Sequence, residues 1–88
     1  MTDTKELLAE RGKTHGDYSK QAAKACELRR AIATGDRTVA LSDVQLDALN
    51  MICVKMSRIV CGNPNEPDHW RDIAGYATLV AERCVKPK

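Results

Sequence analysis

Three groups of residues in this 88-residue sequence have the types and spacing for phosphate chemistry. The first is Asp47, Asn50, Lys55 and Arg58. At about 100° per helical residue, Asp47 and Arg58 fall about 20° apart around one helix axis, with Asn50 and Lys55 flanking them. The second is Asp68, His69, Asp72 and Tyr76, which share about 100° of another helix, while Ile73, Ala77, Val80 and Cys84 form a separate apolar stripe. Mg²⁺ takes one or two carboxylates, waters and substrate phosphates, so Asp47, Asp68 and Asp72 are candidate metal ligands. Lys55 and Arg58 are candidates for neutralising phosphoryl oxygens, with Asn50 and Tyr76 as polar neighbours in substrate binding. His69 is the one evident candidate for a catalytic base. The third group is Lys13, Thr14, His15 and Tyr18, in a segment with glycines at 12 and 16. Exposed backbone N–H groups there suit a phosphate, and Tyr18 suits stacking on a base.

Each group also has a plainer explanation. Asp68 and Asp72 at the start of a helix meet its positive end, and Lys55 and Arg58 near the close of the preceding one meet its negative end. Folded as a hairpin, the two helices would bring these charges together as ion pairs. His69 beside Trp70 reads equally as a partly exposed packing residue, and the glycine-flanked segment as an ordinary loop.

The elements that must position these residues are helices. Thr2 or Asp3 caps a first helix, Thr4 to Arg11, which Gly12 ends. Asp17 caps a second that runs to about Thr34, where Gly35 supplies a left-handed stop. Ser42 and Gln45 form a capping box, with Leu41 and Leu46 at the hydrophobic-staple positions. The helix they open, Val44 to Cys61, is apolar on nearly every side and reads as the central, most buried one. Gly62 ends it, residues 62–67 turn the chain, and Pro67 occupies the first position of a last helix reaching about Cys84. The tail, residues 85–88, is expected to fray.

Composition agrees with an all-α fold. Tyr18, Tyr76 and Trp70 are the only aromatics besides histidine, there is no Phe, and glycine and proline together number eight. A β-sandwich, a collagenous chain and a disordered chain are disfavoured. The reading is one domain over residues 1–88, a small bundle of about four helices with a central antiparallel hairpin. A central helix apolar on nearly all sides in so short a chain implies a homo-oligomer. A net charge of +2 is too small for general DNA binding or for a membrane surface. No run approaches 18 apolar residues, and the first residues lack the order of a signal peptide, so a cytoplasmic protein is expected. Cys26, Cys53, Cys61 and Cys84 match neither zinc nor disulfide spacing and are expected to be buried, reduced thiols.

Arg11-Gly12-Lys13-Thr14-His15-Gly16-Asp17-Tyr18, Ala48-Leu49-Asn50-Met51-Ile52-Cys53-Val54-Lys55-Met56-Ser57-Arg58-Ile59 and Asp68-His69-Trp70-Arg71-Asp72-Ile73-Ala74-Gly75-Tyr76-Ala77 resemble segments of a family of small bacteriophage and prophage proteins. That family is MazG-like or associated with nucleotide modification. The resemblance implies a tight helical oligomer and Mg²⁺-dependent hydrolysis of a nucleoside triphosphate in the host cytoplasm. The wider family holds its metal with an ExxE pair and a later ExxD pair. Here Asp47-Ala48-Leu49-Asn50 stands at the first, and Asp68 with Asp72 is the nearest match to the second. The resemblance therefore also admits a non-enzymatic protein that binds a nucleotide or cyclic nucleotide, for example to sequester a signal of host defence. A structural interaction module is the third reading.

Overall fold

The computed structural model describes residues 4–84. It has four helices: α1 (Thr4–His15), α2 (Tyr18–Ala33), α3 (Asp43–Cys61) and α4 (Pro67–Arg83), with a 3-10 turn, Thr38–Ala40, between α2 and α3. There is no strand among the described residues, and the all-α expectation holds. Residues 85–88, expected to fray, lie outside the described residues, as do Thr2 and Asp3, the expected caps of α1.

Local chemistry sets most of the helix ends. The Asp17 carboxylate accepts from the Lys20 backbone N–H at 3.1 Å and caps α2. At α3 both halves of the capping box are made: Gln45 N–H donates to the Ser42 hydroxyl at 3.1 Å, and Ser42 N–H donates to the Gln45 side chain at 2.9 Å. Pro67 opens α4, where its missing N–H and fixed φ cost nothing.

Two expected stops are corrected. Gly12 does not end α1, which continues for another turn to His15. A helical glycine costs only about 1 kcal/mol relative to alanine, too little to break a helix whose next residues can continue it. The stop is Gly16, at φ 80°, whose N–H donates to the Gly12 carbonyl at 3.0 Å. Gly35 is not left-handed, since Gly16 alone has positive φ among the described residues. Instead the Ile32 carbonyl at the end of α2 takes the Gly35 N–H at 3.0 Å and the Thr38 hydroxyl at 2.6 Å.

α3 is the axis of the molecule, with α2 and α4 packed along it and α1 laid across one end. The Lys55–Asp72 ion pair, and a groove shared by Leu41, Ala48, Ala81 and Cys84, show that α3 and α4 run antiparallel, as expected. Contact is close because the buried residues are small: Ala25 on α2, and Ala48, Cys53 and Ser57 on α3. The other two fully buried side chains, Gln21 and His69, are polar. Among the described residues no Leu, Ile, Val or Met is fully buried. The thiols are corrected in part: Cys53 is buried and Cys61 half-buried, but Cys26 and Cys84 are exposed. All four are free, and burial pushes the Cys53 thiol up from its ordinary value.

Where α1 meets the end of α3 the two backbones touch. A Cβ at Gly16 would overlap the Cys61 carbonyl, and one at Gly62 would overlap the Thr14 carbonyl and come within 2.5 Å of the His15 carbonyl carbon. Nothing lies within 4 Å of a Cβ at Gly12. Opposite effects follow for two alanine substitutions in the same turn. Gly12→Ala is expected to raise unfolding stability by about 0.5–1 kcal/mol through helix propensity. Gly16→Ala is expected to lower it by more than about 2 kcal/mol, since left-handed strain of roughly 1–2 kcal/mol adds to the overlap. Denaturant midpoints of the two variants check both signs.

Candidate functional site

The backbone crossing is tied by one acceptor. The Thr14 carbonyl receives the Asn63 N–H at 2.9 Å and His69 Nε2 at 2.9 Å, joining the end of α1, the α3–α4 turn and the first turn of α4. A carbonyl only accepts, so Nε2 of His69 carries the proton and Nδ1 is its one basic nitrogen. His69 is 3% exposed, against the expectation of a partly exposed residue. Its ring lies 5.2 Å from that of His15, tilted by 48°. Trp70 beside it fastens the turn by donating its indole N–H to the Pro64 carbonyl at 2.8 Å.

A groove of about 630 Å³ opens beside this knot. Leu8, Arg11 and His15 line it from α1, Tyr18 and Gln21 from α2, Arg58 from α3, and the Gly16-Asp17 turn closes one end. Its charges are unbalanced. Arg11 and Arg58 make no ion pair among the described residues, and the Arg58 Nε is buried without a hydrogen-bond partner. The one carboxylate in the lining, Asp17, is spent on the Ser19 hydroxyl at 2.5 Å and the Lys20 N–H. Those bonds hold its pKa below the ordinary value, the Ser19 hydroxyl contributing most. His15 is lowered too, by burial first and then by the charges of Arg58, His69, Lys55 and Arg11. Tyr18 stands at the rim, 77% exposed.

The candidate residues are thus divided among several places. His15, Tyr18 and Arg58 come together in this groove, which Lys13 and Asn50 do not line. Thr14 contributes its carbonyl to the knot and turns its hydroxyl back to the Arg11 carbonyl at 3.2 Å. Lys55 pairs with Asp72 at 2.9 Å, the inter-helix ion pair that the hairpin implied. Arg58 does not join it, and Asp68 pairs with Arg71 of its own helix at 3.6 Å. Asp47 and Tyr76 share a second, smaller groove with Asp43, Val44 and Leu79. Asp47 is eight residues from Lys55, about 12 Å along α3. Among the described residues no three His, Cys, Asp or Glu side chains gather as a metal site. Asp47, Asp68 and Asp72 therefore do not fit the Mg²⁺ that the family resemblance implies.

Arg11, Leu8 and Gln21 were missed. Arg11 and His15 are one turn apart on α1 and share a face, but a helix ended at Gly12 places His15 off it. Gln21 carries no such signal, since its burial depends on the approach of α1 and α3.

The Lys55 side chain is only 12% exposed, so its ammonium depends on the Asp72 carboxylate. Lys55 lowers the Asp72 pKa, by its hydrogen bond first and then by its charge. A carboxylate with a depressed folded pKa contributes stability above the ordinary carboxylate value and loses it as pH falls through the folded one. Asp72→Asn is expected to lower the thermal midpoint at pH 7 and to flatten the acid side of the stability profile. Thermal melts of both proteins from pH 7 to pH 2 check this.

No curated protein and no solved structure matches the chain. One family model does, over residues 1–84, and its description is a domain of unknown function, DUF6378. The chain belongs to the DUF6378 family.

Proposed function

We propose that the protein binds a nucleotide in the groove between α1, α2 and the end of α3. The observation that carries this reading is Arg58: a cation lining the groove, its Nε buried without a hydrogen-bond partner and its charge in no ion pair among the described residues. Leaving a buried guanidinium N–H without an acceptor is costly, and an anion that takes charge-assisted hydrogen bonds from the half-buried Arg58 offsets that cost. Arg11 supplies a second cation, and the exposed Tyr18 ring supplies a stacking platform at the rim. A phosphate with a planar base attached matches both.

Binding is favoured over hydrolysis by the placement of the carboxylates. No step through Mg²⁺ is drawn, because Asp72 and Asp68 face cations and Asp47, on α3, lines a separate groove. The net charge of +2 remains a reason against general DNA binding. No helix among the described residues is long and apolar enough to cross a membrane. Expression in the cytoplasm of an infected cell, where nucleotides are plentiful, fits this reading.

Calorimetry with nucleoside mono-, di- and triphosphates and cyclic dinucleotides, with and without Mg²⁺, tests it. At least one is expected to bind without metal. Arg58→Ala is expected to weaken that binding by about 1.5–3 kcal/mol, the range for a hydrogen bond to a charged group. If the folded protein binds none of them, or Arg58→Ala binds as tightly, the reading fails. Metal-dependent turnover would return hydrolysis to first place.

The proposed active form is a homo-oligomer. Its support is the small core: Ala25, Ala48 and Cys53 are the buried apolar residues, while Leu8, Val44, Leu46, Val60 and Leu79 are exposed. A core this small leaves much apolar surface that a second copy would cover. Light scattering at micromolar concentration is expected to give a multiple of 9.7 kDa. The thermal midpoint is expected to rise with protein concentration, as linked association requires. A monomer with a concentration-independent midpoint would exclude the oligomer.

A further inference from the structure

The charged or titratable groups around His15 are basic apart from the Asp17 carboxylate and the Tyr18 phenol. Arg11 reaches it from α1, Arg58 and Lys55 from α3, and the His69 ring from α4 at 5.2 Å. The Asp17 carboxylate at the head of α2 accepts from the Ser19 hydroxyl and the Lys20 N–H, which hold it in the charged form. The phenol of Tyr18 completes the lining on that side. Lys55 is paired with Asp72, whereas Arg11 and Arg58 make no ion pair among the described residues, although Asp72 feels the charge of Arg58. An imidazolium at His15 in the empty groove would therefore stand among like charges and partly out of water, and both effects favour the neutral ring.

We infer that a phosphoryl group enters this groove together with a proton, which His15 takes up from solvent, so that occupancy and the charge on His15 rise together. The inference rests on the nucleotide reading above and adds the regulation of that site. The geometry permits it because His15 lines the same groove as Arg11 and Arg58, so an anion held by the two guanidinium groups lies within Coulombic reach of the ring. Two negative charges offset the cations that disfavour protonation. The imidazolium then becomes a third donor to the anion. The lowered pKa of His15, set by burial first and then by these charges, is the starting condition for this uptake.

The sign follows from linkage. A group whose pKa is higher in the complex than in the free protein gives tighter binding as pH falls between the two values, at most about tenfold per pH unit for one proton. The probes are inorganic sulfate, which keeps both charges throughout the range, and the tightest-binding nucleotide of the panel. Histidine ring resonances of the whole protein are followed from pH 8.5 to 5.5 with and without each probe. Calorimetry in buffers of different ionisation enthalpy counts the protons taken up.

The expected result is an upward shift of the His15 titration on adding either probe, net proton uptake near pH 7, and affinity that rises toward pH 6. His15→Gln, which keeps an amide of similar size, is expected to bind more weakly at pH 6 and to lose the slope with sulfate. Binding of either probe without proton uptake or a shift of His15 overturns the inference and leaves the nucleotide reading standing. A slope with sulfate retained in His15→Gln places the proton elsewhere and also overturns it. No binding of sulfate or any nucleotide at any pH overturns both. The wild-type ring titration reads the same quantity if His15→Gln does not fold.

Discussion

The Thr14 carbonyl accepts from the Asn63 backbone and from the His69 ring, at a point where the turn after α1 lies directly on the end of α3. Two glycines permit that approach, Gly16 by its left-handed backbone and both by their lack of a side chain. A part-buried carbonyl with two partners uses both of its lone pairs, so the crossing leaves this acceptor satisfied. It draws three segments distant in sequence to one end of the bundle. Without it α1 has little to hold it, since none of its residues is buried.

The groove follows from that crossing. The end of α1 is held over the last turns of α3, which sets Arg11 and His15 opposite Arg58, while the Gly16-Asp17 turn starts α2 along the other wall. A helix C-terminus attracts cations, so Arg58 near the end of α3 is locally favourable. Arg11 and His15 near the end of α1 are favourable for the same reason. Bringing the two ends together concentrates positive charge that each helix tolerates separately. In the proposed reading this excess draws an anion into the groove, and after burial, which contributes most, it lowers the His15 pKa. Structure and proposed binding thus have one cause, the juxtaposition of two basic helix ends.

The remaining half of the molecule is built differently. Along α3 and α4 the contact is between small side chains, with a single inter-helix ion pair, Lys55 to Asp72, near the middle. Close packing of Ala and Cys brings helices together but buries little area per residue. The large apolar residues at the far end, Leu41, Leu49, Ile52 and Val80, border an open groove rather than a core. In the proposed oligomer this is an end that a second copy of the chain would cover.

Sequence alone determined the helices, their antiparallel hairpin and most of their ends, because those depend on contacts three or four residues apart: Asp17 with Lys20, Ser42 with Gln45, Pro67 at the head of α4. It also placed His15, Tyr18 and Arg58 among the residues of interest, since their chemistry is legible from type. Only the tertiary structure decided which candidates meet. Helical angles place Asp47 and Arg58 on one line, but the line is long, and α4 covers one part of it while α1 and α2 cover another. Asp68 found Arg71, one turn away, instead of Arg58 across the hairpin. Whether α1 ended at Gly12 or Gly16 was likewise settled outside the helix, because only at Gly16 does another backbone fill the space where a Cβ would be. Local rules depend on short separations along the chain, whereas the groove depends on Thr14 and His69, 55 residues apart, sharing one hydrogen bond.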